Sequence, residues 1–139
     1  FLKPDPEITL TIPSATDKAI SVGAYDTSTD KVASFSGRGF TRENNQIKPD
    51  IVAPGVNIRS AATGGGTTVL SGTSMATPFV TGSAALMMEW GIVRGNDPYL
   101  YGEKIKAYLI RGAKHLPGYE QWPNKQAGWG ALCLRDGLV

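Results

Sequence analysis

The feature that most constrains the fold is a change of hydrophobic pattern at Thr77. Before this residue, apolar side chains come in short bursts bounded by Pro, Asp, Ser or Gly, a pattern typical of strands. After it, apolar side chains recur at helical spacing as far as Trp90, and the small residues among them permit close packing. The pattern therefore predicts strands followed by a long, largely buried helix.

The other predicted elements are short. Strands are predicted over residues 8–12, 19–24, 32–35 and 50–53, and a hairpin is predicted from residues 58–62 and 67–70, which flank a glycine triplet. A second helix is predicted over residues 101–111 and is expected to end at Gly112. Residues 128–139 predict a strand and the start of another helix.

Composition excludes several classes of protein. A chain of 139 residues with 41% hydrophobic and 19% charged side chains can build a core, and its length fits one domain or part of one. The net charge is +2 and no run of five basic residues occurs, so nucleic acid is not expected as a partner. The longest apolar stretch, residues 84–88, is far shorter than the roughly 20 residues of a membrane span. The first seven residues lack the features of a signal peptide, so we expect a mature or excised piece.

A hydroxyl group stands where the predicted helix starts. Ser74 lies in the segment Gly72–Pro78, at a helix N-terminus whose unpaired N–H groups could stabilise an oxyanion, so its position suits a nucleophile. The alternative is that Ser74 and Thr77 only cap the helix. Because Pro78 has no N–H group, propensity favours Thr77 as the N-cap and Pro78 as the first helical residue, which leaves the start uncertain by one turn.

The segment GTSMATP at residues 72–78 resembles the nucleophile segment of the subtilisin-like serine peptidases. Four further segments resemble that family in the same order: ISVGA at 20–24, ASFSGRG at 33–39, KPDIVAPG at 48–55 and GWG at 128–130. The resemblance implies an α/β fold with a subtilisin-like parallel sheet flanked by helices. It also implies that Ser74 is the catalytic nucleophile and that the backbone N–H of Ser74 is an oxyanion donor.

Other parts of the family's catalytic machinery have no counterpart here. In subtilisin the triad Asp and His precede the Ser, whereas the one histidine, His115, follows Ser74 and lacks the family's surroundings, so we interpret it as a surface residue. None of the aspartates fits the triad motif, and we interpret Asp50 as structural. No Asn occurs before Asn44, so the side-chain oxyanion donor is also missing. We therefore expect residues 1–139 to be the C-terminal portion of a subtilase catalytic domain, without its upstream Asp/His half and inactive alone.

For the parent protein, the resemblance implies a serine endopeptidase that cleaves peptides or proteins through an acyl-enzyme intermediate. An alternative is a pseudopeptidase that acts as a binding module, and self-association of the fragment through exposed sheet edges is a further alternative. No cofactor is predicted, although the resemblance leaves calcium open for the parent. Residues 90–116 resemble the subtilases of clostridia and related bacteria, a group that includes spore-germination peptidases. A secreted, cell-surface or spore-associated bacterial protein is expected.

Two sulfur-containing side chains carry expectations of their own. Met75, next to Ser74, is a candidate for oxidation to a sulfoxide that would crowd the site, with packing away from the site as the alternative. Cys133, the one cysteine, cannot form an internal disulfide. Two leucines flank it on a predicted strand, so a buried, inert thiol is expected.

Overall fold

The computed structural model describes residue 3 and residues 5–138. In chain order the strands are β1 (Val22–Asp26), β2 (Lys31–Val32), β3 (Ile51–Pro54), β4 (Ile58–Ala61) and β5 (Thr67–Leu70). The helices are α1 (Thr73–Met88), α2 (Glu103–Arg111) and α3 (Leu134–Gly137), and a π-helical turn, Glu89–Val93, continues α1.

The sheet is built around β1. Strand β3 runs parallel to it, with Val22 opposite Ile51, and β2 pairs with the other edge in antiparallel register. On the far side of β3, the Val52 N–H donates to the Gly130 carbonyl at 2.9 Å and the Leu132 N–H donates to the Val52 carbonyl at 2.8 Å. The chain around Ala131 therefore adds a further parallel segment, and β3 is buried along most of its length, as a parallel strand requires.

Helix α1 packs on β1 and β3 through one narrow stripe. Its buried residues are Ala76, Val80, Ser83 and Met87, which follow one face of the helix. Phe79 and Leu86 lie on the other side and are 41% and 53% exposed. The prediction of a largely buried helix is therefore wrong for the part of the chain that the structure describes, because nothing there packs on the second face.

Helix α1 begins at Thr73, one turn before the predicted cap at Thr77, and Pro78 lies inside it. One tertiary contact supports this earlier start: the Gly72 N–H donates to the Gly55 carbonyl at 2.8 Å. Locally, the Gly72 carbonyl accepts the N–H groups of Met75 and Ala76. Pro78 removes the intrahelical partner of just one carbonyl, that of Ser74. The hydrogen bond from the N-cap Gly72 to Gly55, the residue after β3, thus outweighs the local preference for starting the helix at proline.

The other elements follow the prediction unevenly. The hairpin β4–β5 and helix α2 are confirmed, and Gly112 is the C-cap of α2. The strand predicted over residues 8–12 is irregular chain, the strand predicted over 19–24 is displaced to β1, and of residues 32–35 just Val32 is in a strand. In the segment 128–139, isolated β-bridges at Ala131 replace the predicted strand, and α3 follows as the predicted helix. Val139 lies outside the described residues.

Cys133 does not lie on a strand. It is half-buried and immediately precedes α3, in an extended conformation. The expectation of a buried thiol on a strand is wrong, because the chain leaves β3 after Leu132 to enter the helix.

A buried ion cluster joins the sheet to α2. Lys48 and Asp50 are 1% and 3% exposed, and the Lys48 Nζ lies 2.8 Å from the Asp50 Oδ2. The Lys106 Nζ lies 2.8 Å from the Asp50 Oδ1, and the Ser21 N–H donates to the Oδ2 at 2.7 Å. Burial lowers the pKa of Lys48, and the hydrogen bond to Asp50 partly opposes this effect. These contacts agree with the structural interpretation of Asp50.

Candidate active site

Ser74 lies in the first turn of α1 and lines an open cleft with a volume of about 520 Å³. The helix contributes Thr73 and Thr77 beside it. The opposite walls come from four parts of the chain: residues 6–14, residues 20–23 at the start of β1, the turn at residues 34–38, and Pro49. These segments are distant in sequence, so the cleft exists only in the folded chain.

The surroundings of Ser74 favour negative charge. Ser74 is exposed, and its N–H belongs to the first helical turn, whose N–H groups have no acceptor four residues earlier in the helix. The first turn of α1 carries no acidic side chain, so the positive end of the helix dipole is not neutralised there. An oxyanion formed beside the Ser74 hydroxyl would meet an oriented donor.

Gly55, at the end of the KPDIVAPG segment, lets the helix start approach the sheet. A Cβ at Gly55 would lie 2.5 Å from the Ala24 Cβ and 2.9 Å from the Gly72 carbonyl oxygen. Because these contacts are too short for carbon, any side chain at Gly55 would displace Gly72 and the turn that carries Ser74.

We expect Gly55→Ala to lower stability by about 1–3 kcal/mol, the usual cost of overpacking a tight contact. Peptidase activity of the full-length protein should fall as well, because the turn carrying Ser74 shifts. The control is Gly37→Ala, since a Cβ at Gly37 meets its nearest neighbour at an ordinary 3.4 Å. Thermal unfolding of both variants makes the comparison, and equal melting temperatures would contradict the role of Gly55.

The GWG segment holds the far side of β3. Gly128 has φ +58°, and a Cβ there would overlap the carbonyl of Pro49. The Trp129 N–H donates to the Asp50 carbonyl at 2.9 Å. Glycine at position 128 thus supplies both the positive φ and the space for this close approach.

No general base reaches Ser74 within the described part of the chain. His115 is exposed, stacks on Trp122 with ring centroids 4.3 Å apart, and does not line the cleft. The interpretation of His115 as a surface residue agrees with this position. Asp50 is held in the ion cluster. Across residues 3 and 5–138, no side chain accepts a hydrogen bond from the Ser74 hydroxyl.

Sequence patterns did not identify two charged residues at the cleft wall. Arg38 belongs to the ASFSGRG turn and lines the cleft, and Glu7, which is not part of the lining, forms an ion pair with it. The position of Arg38 in a motif next to the site was a usable signal. No sequence signal pointed to Glu7, because it forms its ion pair with a residue 31 positions away in the chain.

Within the described ranges, no group of three or more His, Cys, Asp or Glu side chains is arranged to hold a metal ion. Among the same residues, no helix is long and apolar enough to cross a bilayer.

Comparison with known proteins identifies the family. A sequence model described as the subtilase family matches residues 5–130. The chain belongs to the subtilase family. Serine protease AprX of Bacillus subtilis is 37% identical over 124 residues, which cover 75% of this chain and 26% of AprX. Membrane-bound transcription factor site-1 protease of Mus musculus is 34% identical over 131 residues, which cover 91% of this chain and 12% of that protein.

The subtilase fold is seen directly in a solved relative. The CspB protease of Clostridium perfringens is 49% identical and superposes with a TM-score of 0.94, covering 99% of this chain and 30% of that structure. The α/β fold with a parallel sheet and the likeness to clostridial subtilases are therefore confirmed, and the bacterial relatives agree with the expected bacterial origin. The chain spans about a quarter of AprX and under a third of the CspB structure.

Proposed function

We propose that this chain supplies the nucleophile of a subtilisin-like serine endopeptidase. The observation that carries the proposal is the placement of Ser74: an exposed hydroxyl in the first turn of α1, open to a cleft, within the range matched by the subtilase family. Residues 1–139 would form the C-terminal portion of the catalytic domain. The base and acid of the triad would come from parts of the protein outside these residues, so the chain alone would be inactive.

The Ser74 hydroxyl would attack the carbonyl carbon of a substrate peptide bond. Its proton would pass to a base supplied by the rest of the domain and then to the leaving amine. The N–H of Ser74 would donate a hydrogen bond to the oxyanion as its charge develops. Water would then hydrolyse the ester on Ser74 and release the second product.

The test is labelling of the natural full-length protein with a fluorophosphonate, which reacts with activated serine hydroxyls. We expect one adduct, which peptide mapping by mass spectrometry assigns to Ser74. A folded protein without an adduct would contradict the proposal and would favour the pseudopeptidase, in which the cleft binds peptides without cleaving them.

Substrates would be peptides or proteins, consistent with the protease relatives. A secreted, cell-surface or spore-associated location completes the proposal, and fractionation of the producing bacterium tests it.

Oxidation of Met75 is expected to lower activity. A Cβ at Gly72 would lie 3.4 Å from the Met75 Sδ, so the sulfur lies against the turn that precedes Ser74. An added oxygen on the sulfur would make the side chain polar and crowd this turn. Peroxide treatment followed by activity assay and mass spectrometry gives the result, with Met75→Leu as the resistant control. Full activity in a sample with confirmed Met75 sulfoxide would contradict it.

A further inference from the structure

One wall of the Ser74 cleft is held by a cluster of three charged residues. The Glu7 Oε1 lies 3.6 Å from a guanidinium nitrogen of Arg38, and the Glu7 Oε2 forms an ion pair with the Lys125 Nζ. That Oε2 atom is shielded from solvent, although the Glu7 side chain as a whole is 27% exposed. One carboxylate thus meets two cations that belong to two other segments of the chain.

Three hydrogen bonds hold the same three segments together. The Thr9 N–H donates to the Arg38 carbonyl at 2.8 Å, and the Arg38 N–H donates to the Thr9 hydroxyl at 2.9 Å. The Gly39 N–H donates to the Lys125 carbonyl at 2.9 Å. These bonds keep Arg38 at the cleft wall and Glu7 within reach of it.

The charge of Arg38 is unusual in this cleft. Among the described residues that line it, Arg38 is the only charged one, and the others are apolar, glycine or hydroxyl-bearing. A guanidinium stays protonated in proteins and binds carboxylates strongly, so a free Arg38 would attract acidic side chains of a substrate. Glu7 does not line the cleft, but its carboxylate forms an ion pair with Arg38 and another with Lys125.

We propose that Glu7 determines substrate specificity by pairing with Arg38 and weakening its attraction for acidic groups, so that the cleft accepts uncharged substrate side chains and does not select acidic ones. The proposal rests on the proposed function, because it concerns the cleft in which Ser74 would act. Glu7 is a positioning residue here: it acts on substrate through Arg38 and leaves the nucleophile unchanged.

The test is the cleavage profile of full-length Glu7→Gln on a mixed peptide library, read by mass spectrometry. We expect Asp and Glu near the cleaved bond to be enriched about two- to fivefold over wild type, the range of a partly exposed charge pair. Labelling of Ser74 by fluorophosphonate should proceed at the wild-type rate. Glu7→Asp, which keeps the charge, should restore the wild-type profile, and Glu7→Gln/Arg38→Gln should lose the enrichment.

Glu120→Gln is the matched control, because Glu120 is exposed and does not line the cleft. An unchanged profile in labelled Glu7→Gln would overturn the proposal, as would enrichment that persists in the double variant.

If the wild-type protein is not labelled, the proposed function fails by itself. The role of Glu7 is then judged from the reaction of Arg38 with phenylglyoxal, which should be several-fold faster in Glu7→Gln. Equal rates would overturn it.

Discussion

Replacing Ser74 by alanine in the full-length protein is expected to reduce peptide hydrolysis by about 10⁶-fold in kcat, the size of loss known for the serine of subtilisin. The reason is that, in the proposed mechanism, this hydroxyl forms the covalent bond to the substrate. Thr73 and Thr77 also line the cleft, but the Thr77 hydroxyl is engaged in a hydrogen bond to the Thr73 carbonyl.

The measurement is hydrolysis of a casein-type substrate, with fluorophosphonate labelling as a second readout. Ser60→Ala is the control, because it removes an exposed hydroxyl of β4 that does not line the cleft. We expect Ser60→Ala to keep wild-type activity. A Ser74→Ala protein that still hydrolyses peptides would show that another residue is the nucleophile.

Replacing Asp50 by alanine is expected to cost about 3–5 kcal/mol of folding free energy, because it leaves buried charge without its partner. Lys48 is 1% exposed, and it would lose its one carboxylate. Lys106 would lose the same ion pair, and the Ser21 N–H would lose its acceptor. Burial already lowers the pKa of Lys48, which shows that the charged form is disfavoured at this position.

Urea denaturation of the full-length protein measures this loss. Asp50→Asn keeps an acceptor for the Ser21 N–H but not the charge, so its loss should be intermediate. The control is Asp97→Ala, which removes a carboxylate paired with the Lys104 Nζ at 2.6 Å near the surface, and its effect should be smaller. An Asp50→Ala protein as stable as Asp97→Ala would contradict the structural role of the cluster.

The sequence by itself determined the family and the features that depend on neighbouring residues. The hairpin β4–β5 follows from a glycine triplet between two apolar segments, and α2 follows from its helical periodicity and Gly112. For both elements the physical cause lies within a few residues, so the pattern in the sequence was sufficient. The segment GTSMATP, together with the other family-like segments in the same order, predicts Ser74 as the nucleophile.

The tertiary structure alone decided the start of α1, the walls of the cleft and the two ion clusters. Helix α1 starts at Thr73 because Gly72 is anchored to Gly55, 17 positions earlier. Asp50 forms an ion pair with Lys106, and Glu7 forms one with Arg38, and both pairs are further apart in sequence than Gly55 and Gly72. Such contacts depend on where the folded backbone brings distant segments together, and local propensity carries no information about that.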